Sequence, residues 1–123
     1  MTKHVLIADD EPNIVISLEF LMRREGHRVS VARDGDAALA AIRSERPDLV
    51  LLDVMMPGRS GMEVCQAVRE DPALAGVKIL MLSAKGRDTD LAKGTALGAD
   101  AYVTKPFSTR ELADKVRELL VGV

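Results

Sequence analysis

The chain has no tryptophan and only three aromatic side chains in 123 residues: Phe20, Tyr102 and Phe107. Readers of single-stranded nucleic acid stack bases on aromatic platforms, and three scattered rings make a poor one. There is no excess of one charge either. Seventeen basic and 19 acidic side chains leave a formal net charge of -2. So balanced a chain exerts no general pull on nucleic acid or on an anionic membrane. No apolar run approaches the roughly 20 residues that span a bilayer. The segment Met1 to Asp9 has one lysine, a short apolar stretch and then acids, which is not a secretory signal. A lone cysteine, Cys65, excludes an internal disulfide framework and any multi-thiolate metal site. These absences point to a cytosolic protein without direct nucleic-acid or membrane binding. Cys65 itself reads as a small core residue, and His4 and His27 share no metal-ligand spacing.

What remains is 47% hydrophobic and 29% charged, enough for one globular domain spanning residues 1–123. A short apolar run followed by a helical pattern recurs five times. The runs are 4–8, 28–32, 48–52, 78–82 and 101–103. The first, third and fourth are nearly continuous in Val, Leu and Ile, as in parallel strands covered on both faces. The second alternates and reads as an edge strand. Helices are expected from Pro12 to about Gly26, Gly35 to Glu45, Met62 to Glu70, Thr89 to Leu97 and Ser108 to Leu120. Pro12 suits a first helical turn, Gly26 and Pro47 are stops, and Ser108 with Glu111 fits a capping box. The second helix should turn Ala37, Ala38, Ala41 and Ile42 inward. Strands alternating with helices predict an α/β fold: a doubly wound five-stranded parallel sheet with five helices, in the flavodoxin-like order 2-1-3-4-5.

Such sheets bind ligands beyond the carboxyl ends of their strands. After the first run come Asp9, Asp10 and Glu11, and after the third Asp53. Ser83-Ala84 follows the fourth run and Lys105-Pro106 the fifth. In this strand order these residues converge on one cleft. Singly, each is ordinarily a turn or cap residue; the set carries the meaning. Three carboxylates at one edge repel, each pair by about 3 kcal/mol at roughly 5 Å and an effective dielectric near 20. A hard divalent cation with oxygen ligands removes that penalty, and Mg²⁺ is the natural candidate. Acids, magnesium, the Lys105 ammonium and the Ser83 hydroxyl together suit a phosphoryl group, with an aspartate carboxylate as nucleophile.

At these residues the sequence closely resembles the receiver domain of bacterial two-component response regulators. The matching elements are Asp9-Asp10, the segment Asp53-Val54-Met55-Met56-Pro57-Gly58-Arg59-Ser60-Gly61, Ser83-Ala84, Gly98-Ala99-Asp100-Ala101-Tyr102 and Lys105-Pro106-Phe107. The resemblance implies that Asp53 accepts a phosphoryl group from the phosphohistidine of a histidine kinase or histidine phosphotransfer protein. It implies that Asp9, Asp10, Asp53 and the backbone carbonyl of Met55 bind Mg²⁺. Ser83 and Lys105 would engage the phosphoryl group, Ser83 and Tyr102 would form the switch pair, and a cis peptide would precede Pro106. Asn13, Ile16, Ser17, Phe20, Pro106 and Phe107 would be docking residues for the kinase.

Signal output would pass by protein contact through the face of the fourth helix, fifth strand and fifth helix. Its target would be a separate protein or an attached output domain. The fourth helix carries Gly94 and Thr95, both weak helix formers, and is expected to be the mobile element. Leu91 and Ala101 depart from the charges that the winged-helix DNA-binding subfamily uses to dimerise on this face. A monomer or a phosphorylation-dependent homodimer, free-standing or part of a longer regulator, fits the sequence. Met55 and Lys85 occupy the positions that tune dephosphorylation in the family.

No turnover on an external substrate is expected. An Asp-nucleophile phosphatase would need a second Asp two residues after the nucleophile, where Met55 stands. A flavin binder would need a Ser/Thr/Gly-rich loop after the first strand, where the acids stand. A nucleotide-binding P-loop is missing.

Overall fold

The computed structural model of the chain describes residues 2–84, 92 and 96–121. Its elements run β1 (His4–Ala8), α1 (Pro12–Arg24), β2 (Arg28–Ala32), α2 (Gly35–Glu45), β3 (Leu49–Asp53) and α3 (Gly61–Arg69). After a 3-10 turn at Pro72–Leu74 come β4 (Lys78–Ala84), β5 (Ala101–Lys105) and α4 (Thr109–Leu120). The strands form one parallel sheet in the order β2-β1-β3-β4-β5, as the sequence predicts. The helix expected over 89–97, with Leu91, Gly94 and Thr95, lies outside the described residues, as does Lys85.

Alternate side chains of each strand point to opposite faces, and both faces are covered. Leu6, Val50, Leu52, Ile79 and Met81 pack with Leu39 and Ile42 of α2 and Val64, Cys65 and Val68 of α3. Val5, Ile7, Leu49, Leu51, Leu80 and Leu82 pack with Val15, Leu18 and Met22 of α1 and Leu112 and Val116 of α4. Double coverage is why the inner strands are continuously apolar. Cys65 is fully buried, and burial pushes its thiol above the ordinary range.

Helix ends follow local chemistry. Pro12 opens α1, and Arg23 and Arg24 sit in its last turn, where cations suit the helix dipole. Gly26 then takes φ +88. The Asp34 side chain caps α2 by accepting from the Ala37 N–H at 2.7 Å. Three details differ from the sequence reading. Ala37 is exposed and Leu39 is buried instead, because the inward stripe of α2 runs through 35, 38, 39 and 42. At Ser108 the hydroxyl accepts from the Glu111 N–H at 3.0 Å, but the box with both arms formed lies at Ser60 and Glu63. Finally, β3, β4 and β5 reach Asp53, Ala84 and Lys105. Backbone pairing continues beneath these polar side chains, with Asp53 opposite Leu82, Ser83 opposite Thr104 and Ala84 opposite Lys105.

Candidate functional site

That last difference decides how firmly the site is held. Asp53, Ser83 and Lys105 stand on the final residues of paired strands, and strands position side chains more rigidly than loops do. Asp9 follows β1 directly and its N–H still donates to the Ala32 carbonyl at 3.1 Å. Asp9, Asp53 and Ser83 are all buried; Asp10 is exposed. One ligand oxygen from each of Asp9, Asp10 and Asp53 lies within 4.8 Å of the others.

Lys105 reaches into this cluster from β5. Its Nζ donates to Asp9 Oδ2 at 2.9 Å and Glu11 Oε1 at 3.0 Å, and lies 3.4 Å from Asp53 Oδ1. Asp9 Oδ1 accepts from the Glu11 N–H at 2.9 Å, and Asp53 Oδ1 from the Met55 N–H at 3.3 Å. Burial, then the neighbouring Asp9 charge, push the Asp53 carboxyl from 3.8 up to about 6. Lys105 and the Met55 N–H pull it part of the way back. For Lys105, burial favours the neutral amine. Hydrogen bonds to Asp9 and Glu11 and the charges of Asp53 and Asp9 outweigh it, so its pKa lies above the lysine range.

The structure therefore brings Asp9, Asp10, Asp53 and Lys105 together. Ser83 is buried one residue beyond the partner of Asp53 in the β3–β4 register. Tyr102 is half-buried against the core on the α2–α3 side. The Met55 side chain is exposed. The Lys105–Pro106 peptide is cis. Asn13, Ile16, Ser17 and Phe20 form an exposed strip along α1, with Ile16 at 64% and Phe20 at 66% exposure. Pro106 is exposed, while Phe107 packs against the core beneath α1 and α4.

The sequence places Glu11 at the cleft but gives it no role; the structure makes it a partner of Lys105.

Among the described residues the cluster holds three aspartates and Glu11 against a single ammonium, with oxygen ligands and no soft one. A hard divalent cation fits that donor set. The response regulator receiver domain family matches residues 5–117. A protein of Chloroflexus aurantiacus J-10-fl assigned to the response regulators is 35% identical, with a TM-score of 0.94 over 98% of this chain and 99% of its own. The chemotaxis response regulator CheY4 of Vibrio cholerae is 31% identical, with a TM-score of 0.91 over 98% and 100%. NtrX of Brucella abortus, 29% identical with a TM-score of 0.87, is matched over 98% of this chain but only 27% of its own, so some relatives are longer regulators.

The chain belongs to the receiver domains of two-component response regulators. No helix among the described residues is long and apolar enough to cross a membrane.

Proposed function

We propose that residues 1–123 act as one phosphorylation-activated receiver. Asp53 accepts a phosphoryl group from the phosphohistidine of a histidine kinase or histidine phosphotransfer protein. In this step an Asp53 carboxylate oxygen attacks phosphorus. The P–O bond forms as the P–N bond breaks, and the imidazole leaves and takes up a proton. The observation that carries this reading is the Asp53 carboxylate, buried at a strand end, with the Lys105 ammonium 3.4 Å away and two further aspartates in the same cluster.

Asp9, Asp10, Asp53 and the Met55 carbonyl would hold Mg²⁺, which supplies charge neutralisation for the carboxylates and phosphoryl oxygens. Lys105 keeps Asp53 ionised and steadies the incoming anion. Ser83 donates its hydroxyl to a phosphoryl oxygen once Asp53 is modified. An aspartyl phosphate adds negative charge and acceptor oxygens at this point, and Ser83 and Tyr102 carry that change toward β5 and α4.

The exposed α1 strip of Asn13, Ile16, Ser17 and Phe20, with Pro106 and Phe107 beside it, receives the kinase. Output goes by protein contact to a separate target or an attached domain, in the cytoplasm, without turnover of an external substrate. The phosphatase alternative lacks its second acid, since Met55 stands there with its side chain in solvent.

The test is intact mass after incubation with Mg²⁺ and a small phosphodonor. Wild type gains one phosphoryl group, and Asp53→Asn gains none. An equal gain by Asp53→Asn overturns Asp53 as acceptor.

A further inference from the structure

The loop 54–60 joins the acceptor strand β3 to α3, and it carries the Met55 N–H that reaches Asp53. It is gripped from two sides by backbone approaches that leave no room for a side chain. On the α3 side the Gly61 N–H donates to the Val54 carbonyl at 2.9 Å, and a Cβ on Gly61 would overlap the carbonyl oxygen of Asp53 itself. On the other side stands the first turn of α2, an element that contributes no side chain to the acidic cluster. There the Gly35 N–H donates to the Pro57 carbonyl at 3.1 Å, and a Cβ on Gly35 would overlap the carbonyl oxygen of Arg59. The next residue, Asp36, accepts from Arg59 Nε at 2.8 Å. Its other oxygen lies 2.9 Å from where a Cβ on Gly58 would stand, and Gly58 has φ +72.

Two segments thus interlock, each supplying a glycine at the point where the other presses closest. Met55, Pro57, Gly58 and Arg59 are exposed, while Val54 is buried in the core and Met56 packs against it, so side-chain burial anchors the start of the loop and not the stretch 57–59. The exposed stretch 57–59 is set by these backbone contacts and by one ion pair.

We propose that Gly35 and Asp36, acting through Pro57 and Arg59, are positioning residues for the phosphorylation site. The first turn of α2 fixes where the loop presents the Met55 N–H to the acceptor carboxylate and the Met55 carbonyl to the metal. This rests on the reading that Asp53 is phosphorylated with Mg²⁺ bound. The two arms differ in strength. The Asp36–Arg59 pair is exposed at both ends, and exposed pairs contribute little. The Gly35 contact is backbone against backbone and cannot yield without moving the loop.

The experiment uses the whole chain as wild type, Gly35→Ala, Asp36→Ala, Arg59→Ala and the double swap Asp36→Arg with Arg59→Asp. Three quantities are read: amide exchange of residues 54–56 without metal, the dissociation constant for Mg²⁺ by calorimetry, and the labelling rate with a small phosphodonor. Gly35→Ala is expected to weaken Mg²⁺ binding by roughly tenfold or more and to speed exchange of the Val54 and Met55 amides. Asp36→Ala and Arg59→Ala should each weaken Mg²⁺ binding about two- to fivefold, with unchanged thermal midpoints, and the swap should regain part of the loss.

Folded variants with wild-type Mg²⁺ affinity and wild-type exchange overturn the proposal. Should Gly35→Ala fail to fold, the other three variants decide it by the same criteria. A wild type that binds no Mg²⁺ and takes no phosphoryl group defeats the functional reading instead. The metal-free exchange data still settle whether α2 holds the loop.

Discussion

The two ends of the sheet each bury a polar cluster, but of opposite kinds. At the amino end His4 is 7% exposed. Its Nε2 meets Ser30 Oγ at 2.8 Å and Glu45 Oε1 at 3.2 Å, while Ser30 Oγ donates to Glu45 Oε1 at 2.7 Å. The Asp48 carboxylate accepts from the His4 N–H at 2.8 Å. His4, Ser30 and Glu45 border a cleft of about 380 Å³ shared with Arg28 and Val29. At the carboxyl end the Lys105 ammonium faces Asp9, Asp53 and Glu11, with Asp10 in the same cluster. At the amino end the polar groups mostly pair among themselves, although His4 Nδ1 is buried without a hydrogen-bond partner; at the carboxyl end, among the described residues, four carboxylates meet one ammonium. Burial of polar groups therefore marks structure as readily as function. On the proposed function, the functional end is the one where carboxylates outnumber cations, and stability there is given up for a ligand.

Substitutions can break that contrast. The largest effect is expected from Lys105→Ala, which leaves the fully buried Asp9 without its cation. Unfolding in urea in metal-free buffer should show a loss on the order of 3 kcal/mol, partly recovered by Mg²⁺.

Next comes Asp53→Asn, with the opposite sign. The folded state holds the Asp53 proton near pH 6 against an ordinary 3.8, so it binds that proton more tightly than the unfolded chain does. The stability this gives is whole below the ordinary value and is lost as pH rises through about 6. Asparagine has no such proton to lose. In metal-free buffer the variant should be more stable than wild type above that pH by at most about 3 kcal/mol, the gap closing toward pH 4. Urea midpoints across that range check it.

The smallest effect is expected at the amino end. Ser30→Ala removes the central hydroxyl, but His4 and Glu45 already approach each other at 3.2 Å. A loss under about 1 kcal/mol and an unchanged Mg²⁺ affinity should follow. A large change in Mg²⁺ affinity here would dissolve the distinction between the two ends.

Much of the site was legible because acids, serine and lysine each follow an apolar run, and a doubly wound order brings those run ends together. Glu11 was not legible as a partner of Lys105, since the two are 94 residues apart and the pairing depends on where β5 lies. The grip of Gly35 on Arg59 was invisible for the same reason. Ala37 was misplaced because several small apolar residues in α2 fit more than one helical phase, and only packing against the sheet selects one.

Short-range pattern, then, carried the strands, the helix ends and the residue types at the cleft, because side-chain periodicity and capping are settled within a few residues. Which acid meets the lysine, how far burial lifts Asp53 and which turn packs against the loop 54–60 belonged to the folded chain alone. Those depend on distances across the sheet, and no local pattern contains them.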